Sequence, residues 1–144
     1  MTIHKAHIYQ EFDAPAEKIW EDMNDHENFG KMMGQKITRR VDSTDAGNVN
    51  GVGSVRGFKM PMYVEETITR SERGKRIEYK ITKGTPLNHH YGTILFADLG
   101  DGRSSVDYTI EMGSKIPFIA AIIKVALEKG IGGGLKNHAR RLKK

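Results

Sequence analysis

The stretch whose reading decides the fold is 115-KIPFIAAIIKVALEKGIGGGLKNHARRLKK-144. Its first half, Ile116 to Leu127, is apolar nearly all round, and it follows about sixty residues that read almost entirely as strands. A helix apolar on every side has to be enclosed. Spanning a bilayer takes roughly 20 consecutive apolar residues, and this run meets Lys124 and Glu128 too early for that. The expected enclosure is therefore a curved sheet of the same chain. Ser114 is expected to open the helix, and Pro117 to Lys143 would run roughly 40 Å at ~1.5 Å per residue, enough to cross six or seven strands.

Outward from that helix, the strands announce themselves by alternation and turn chemistry. His4 to Phe12 alternates, with Ala6, Ile8 and Phe12 on one side, and Asp13-Ala-Pro15 stops it. A short helix follows, with Asp13 as its expected cap and Ile19, Trp20 and Met23 as its apolar stripe. Asn24 to Gly34 reads as a second short helix, capped by Asp25, facing Phe29, Met32 and Met33 inward and ended by Gly34. Strands are then predicted over Lys36–Asp42, Gly53–Lys59, Met62–Arg70, Arg76–Lys83, His89–Leu99 and Ser105–Met112, separated by Gly, Asn, Asp and Pro. The predicted class is α+β: a curved antiparallel sheet of six to seven strands around a long C-terminal helix, with two short helices after the first strand.

Length and composition fit one domain over residues 1–144. The chain has no cysteine, which removes disulfides, thiolate nucleophiles and thiolate metal sites. The opening MTIHKAHIYQEF has no apolar core of a signal peptide, so the cytoplasm is the expected location. Residues 115–144 carry eight Lys or Arg against Glu128, a local charge of +7 within a net +5, so the basicity belongs to one helix. Such a helix can attract an anionic surface; it is also the ordinary composition of a solvated helix end.

Six segments in order resemble the START-like, helix-grip superfamily, whose bacterial members are known as polyketide cyclase/dehydrase-like proteins. They are Phe12-Asp-Ala-Pro-Ala-Glu-Lys-Ile-Trp20; Gly51-Val-Gly-Ser-Val-Arg56; Val64-Glu-Glu-Thr-Ile68; Tyr79-Lys-Ile-Thr-Lys-Gly-Thr-Pro86; Tyr91-Gly92 with Gly100-Asp-Gly102; and Gly134-Leu135. The resemblance covers essentially the whole chain and implies a helix-grip fold with an internal cavity. It leaves function open, because that fold hosts carriers, receptors and cyclases.

Strand alternation selects the side chains expected to face the cavity. Met62, Val64 and Ile68 form the apolar phase of their strand, and Glu66 falls in that phase. A carboxylate placed inside needs a partner, and Arg56 of the neighbouring strand is expected to grip it through two parallel hydrogen bonds. Ile77, Tyr79 and Ile81, then His90, Gly92, Ile94 and Phe96, then Val106, Tyr108, Ile110 and Met112, are the other inward sets. The helix is expected to contribute Ile119, Ile122, Ile123 and Ala126, and Met32, Met33, Met60, Met62 and Met112 an adaptable lining. No cofactor and no metal site is expected, since His89 and His90 point to opposite faces of a strand and His4 and His7 differ in phase. No phosphate-binding loop appears either, and the basic helix has no interleaved aromatics for nucleic acid.

The leading expectation is a carrier or binder of a small hydrophobic or amphipathic molecule. The alternative is a cyclase or dehydratase with Glu66 as base and His90 or Tyr108 as acid. A third reading is a non-catalytic protein touching an anionic membrane or another partner through the basic helix. The Gly130–Gly134 cluster is either a hinge for ligand admission or a kink or site of close packing.

Overall fold

The computed structural model describes residues 1–59 and 62–144; Met60, among the methionines expected to line the cavity, lies outside the described residues. Alternation yields strand β1 (Ile3–Phe12) with Ala6, Ile8 and Phe12 buried. Helices α1 (Ala16–Asn24) and α2 (His26–Met33) follow. The expected cap of α1 is replaced. Pro15 is extended at the cap position, which leaves Asp13 two residues too far upstream, and the amide of Ala16 donates instead to Oδ1 of Asp98 at 2.9 Å. Asp25 does cap α2, accepting from the Asn28 amide at 3.0 Å, and Gly34 ends it with φ 70°.

Six more strands form a meander: β2 (Thr38–Val41), β3 (Val55–Lys59), β4 (Tyr63–Glu72), β5 (Arg76–Lys83), β6 (His89–Gly100) and β7 (Arg103–Gly113). With β1 returning beside β7, they make one seven-stranded sheet in the order β1-β7-β6-β5-β4-β3-β2, antiparallel at every pairing. Register shifts at Glu65/Glu66 and Ile68/Arg70 interrupt the β4–β5 ladder, and bulges of this kind bend a strand and raise the local twist.

The last helix, α3 (Ile119–Leu142), starts later than its sequence suggests. Ser114 is not its first residue. The serine hydroxyl donates to the Pro86 carbonyl at 2.9 Å and accepts from the Ile116 amide at 3.1 Å, while Pro117 disfavours helical geometry at Ile116. Phe118 takes the cap position in left-handed geometry, φ 68°, and no side chain caps the first amides. A bulky residue there is strained by about 1–3 kcal/mol.

From Phe118 the helix runs along β1 and against α2. The His7 amide donates to Glu128 at 3.2 Å, His138 Nε2 and Asp22 Oδ2 lie 2.8 Å apart, and the Lys144 amide reaches Asp13 at 3.3 Å. Ala120, Leu127, Ile131, Gly134 and Leu135 form its buried face. The expected all-round enclosure is not found, because α3 rests on the β1 edge and α2 without being covered on its far side. Phe118 is 81% exposed, Ile122 64% and Val125 49%.

Helix α3 runs unbroken through Gly130–Gly134, and one of these glycines marks a close approach. A Cβ at Gly134 would meet the Met32 carbonyl oxygen at 2.7 Å, whereas one at Gly130 or Gly133 would meet nothing within 4 Å. Gly130→Ala is therefore expected to stabilise the protein by about 0.5–1 kcal/mol in chemical denaturation, as alanine does inside an open helix. Gly134→Ala should destabilise it and loosen the α2–α3 contact.

Candidate functional site

The inner face of the sheet, α2 and the middle of α3 enclose a small cavity of about 60 Å³. Its apolar wall is Phe29, Met33, Ile37, Phe58, Ile110, Leu127 and Ile131, and its polar atoms come from Gln35, Glu66, Tyr79, His90 and Tyr108. This is under half of the roughly 150 Å³ of an engineered cavity that admits benzene, so the space as it stands is smaller than a ring-sized ligand needs.

Arg56 and Glu66 face each other directly across β3 and β4. Both are buried, Arg56 to 1% exposure, and Nε of Arg56 donates to Oε1 of Glu66 at 2.7 Å. The expected two-point grip is not formed. The guanidinium instead lies between two aromatic faces, 4.6 Å from the Phe29 ring centre and 4.8 Å from that of Tyr79, and its Nη2 has no hydrogen-bond partner among the described residues. Burial pushes the Glu66 carboxyl above the usual carboxylate range, and Arg56 pulls against that rise. Burial works hardest against the charged guanidinium, but attraction to Glu66, the neighbouring Tyr108 and Tyr79 and the hydrogen bond to Glu66 together more than offset it.

Beside the pair, the hydroxyls of Tyr79 and Tyr108 meet at 2.6 Å with their rings edge to face. The missing side chain at Gly92 makes this contact. Gly92 lies between Tyr79 and Ile110 in the register of β5, β6 and β7, and a Cβ there would collide with the Tyr79 ring. Burial raises both phenols well above their ordinary range. His90 lines the cavity, its Nδ1 has no hydrogen-bond partner among the described residues, and burial followed by the charge of His89 pushes it down to about 4. His89 points outward to Glu111 at 3.4 Å, as alternation requires.

The expected lining residues separate into three groups. Glu66, Tyr79, His90 and Tyr108 reach the cavity, and Arg56 sits directly behind Glu66. Val64, paired with Phe58, and Phe96 are buried core; Phe96 lies four residues beyond Gly92, roughly 13 Å along a strand, toward the end of β6 that meets α1. Met62 precedes β4, where no strand or helix covers it, and is 56% exposed. Ile119 and Ile123 are half-buried beside the core, while Ile122 and Ala126 are exposed, because the inward line of α3 passes through Leu127 and Ile131.

Several contributors escaped the sequence reading. His26 is buried one turn before Phe29 on the inward face of α2, and its Nε2 lies 2.9 Å from the Ser54 hydroxyl. Burial, then the charges of Arg56 and Arg39, push it down to about 2. The spacing His26–Phe29 was the available signal. Gln35 and Ile37 carried none, since they precede short β2, which shows no clear alternation, whereas Phe58 lies two residues beyond Arg56 in β3 and that shared phase was the available signal.

A family described as polyketide cyclase / dehydrase and lipid transport matches residues 4–144. The chain belongs to this family. No curated protein sequence matches the chain significantly. Solved structures with the same fold include a START superfamily protein from Mycobacterium smegmatis, 12% identical, with 97% of this chain and 99% of that one covered and a TM-score of 0.77. A protein from Thermobifida fusca is 18% identical over 96% and 95% of the two chains, with a TM-score of 0.76. Norcoclaurine synthase from Thalictrum flavum, in complex with dopamine and hydroxybenzaldehyde, is 12% identical over 99% and 90%, with a TM-score of 0.69. At these identities the likeness establishes the helix-grip fold of the START-like family member and leaves its activity to its own residues.

The buried pair and the histidines set two expectations. Glu66→Gln or Arg56→Met leaves one charge or a buried polar group alone and should cost about 3–5 kcal/mol in urea denaturation, while the double replacement Arg56→Met with Glu66→Leu should recover most of that loss. His26 and His90 titrate lower in the folded protein than their usual 6.5, so the unfolded chain binds more protons below that value. Their stabilisation is complete above pH 6.5 and declines as pH falls toward about 4, by roughly 1 kcal/mol per pH unit for each. Glu66, raised by burial, acts in the opposite sense. A flatter pH profile of unfolding in His90→Asn would verify the assignment.

Proposed function

We propose that the protein binds a small hydrophobic or amphipathic molecule in the cavity between the sheet and α3, with the molecule's polar end against Glu66. The observation that carries this reading is a buried carboxylate in a mostly apolar cavity, with one oxygen held by Arg56 and none of its remaining hydrogen-bonding capacity used among the described residues. A hydroxyl or amine on the ligand would complete it. His90, which lines the same cavity, would supply a second polar contact.

The tyrosine pair supports binding over proton transfer. Both hydroxyls are already hydrogen-bonded to each other, and burial holds both phenols far from ionising near neutral pH. A ring-sized or larger molecule would be accommodated by an outward movement of α3 or α2. The first turns of α3 offer the weakest resistance, because they begin at an uncapped, strained residue and bury little.

Native mass spectrometry of protein taken from its source tests the proposal. A retained mass, displaced in Leu127→Trp where indole fills the cavity, is the expected result. Glu66→Gln should weaken retention about 5- to 30-fold, the effect of removing one hydrogen bond to a charged group. Absence of both a retained mass and saturable uptake of apolar fluorophores would refute it, and loss of turnover in Glu66→Gln with binding intact would replace it by a catalytic role.

A further inference from the structure

One line of α3 faces solvent along its whole length and lines no part of the cavity. Phe118, Ile122, Val125, Lys129, Gly133, Lys136, Arg140 and Lys143 recur every three or four residues, so they share one face of the helix, and all are exposed. The face is divided lengthwise: its first half is apolar and its second half is cationic. Ile116, 55% exposed, extends the apolar half at its start. Glu128 is the single acidic residue from 115 to 144, and it is occupied by Lys124 at 3.1 Å and by the His7 amide.

We propose that this face of α3 docks on an anionic lipid surface, with Phe118, Ile122 and Val125 entering the acyl boundary and Lys129, Lys136, Arg140 and Lys143 resting on the headgroups. Charge complementarity selects this occupant. A second copy of the chain meeting the face along its length would oppose cation to cation if parallel and cation to apolar side chain if antiparallel, and both disfavour it, whereas an anionic surface matches the basic half and its lipid interior the apolar half. The helix lies on such a surface and does not cross it, since no helix among the described residues is long and apolar enough to span a membrane. An apolar insertion and a basic patch together supply the two contributions, buried apolar area and attraction to anionic lipids, that set the strength of interfacial helix binding. The proposal does not depend on what the cavity holds, as none of these residues lines it.

Co-sedimentation with vesicles of phosphatidylcholine, with and without phosphatidylglycerol, provides the test. Binding to the anionic vesicles, weakened by salt, is expected. Ile122→Asp and Phe118→Asp should each reduce it about tenfold or more, the worth of withdrawing one large apolar side chain. Both positions are exposed, and aspartate tolerates the left-handed geometry of Phe118 better than phenylalanine, so circular dichroism and melting should show the fold retained. Arg140→Glu with Lys143→Glu should also weaken binding. The proposal fails if anionic vesicles are not bound. It fails equally if the basic variants abolish binding while the two aspartate variants leave it unchanged, or if sedimentation shows a dimer that the aspartate variants dissociate.

Discussion

A guanidinium and a carboxylate, taken out of water and placed opposite each other on β3 and β4, constrain most of what surrounds them. Charges this deeply buried are costly unless paired, so the register of β3 on β4 is fixed by the need to keep Arg56 beside Glu66. The aromatic faces of Phe29 and Tyr79 close over the guanidinium, which ties α2 and β5 to the same point. Tyr79 then hands the constraint to Tyr108 across the vacant side-chain position at Gly92. Five elements thus converge on one pair of charges: α2, β3, β4, β5 and β7.

What was legible in the sequence followed from periodicity. The strands alternate cleanly, so the inward phase of Glu66, Tyr79, His90 and Tyr108 could be read without coordinates, and Arg56 could be matched to Glu66 across neighbouring strands. Boundaries and distant partners were not legible. Asp98 caps α1 from the far end of β6, and no local pattern announces such a cap. Met62 shows the limit of alternation, which specifies a face only while the strand continues. The largest departure concerns α3. An apolar circumference was taken to require enclosure, yet Ile122 and Ala126 stay outside because burial depends on where the helix rests, and it rests on an edge strand.

Fold and family narrow the chemistry without completing it. The family's description spans cyclase/dehydrase and lipid transport, and the fold it shares with norcoclaurine synthase and a mycobacterial START protein does not choose between them. Within this chain the cavity is apolar, small and supplied with a carboxylate held by one hydrogen bond, and the adjacent phenols are bound to each other. The same helix that closes this cavity with Leu127 and Ile131 turns its opposite side to solvent.

The glycine at position 134 gives that helix the mechanics of a lever. Its C-terminal half is held where Gly134 meets the Met32 carbonyl, by His138 against Asp22 and by Lys144 against Asp13, while its first turns have no cap. Along the axis, at ~1.5 Å per residue, Leu127 lies about 10 Å from this fulcrum and Phe118 about 24 Å. A tilt that withdraws Leu127 from the cavity by about 2 Å would therefore carry Phe118 through roughly 5 Å. Any force applied at the tip of α3 acts on the cavity wall with a mechanical advantage of about two.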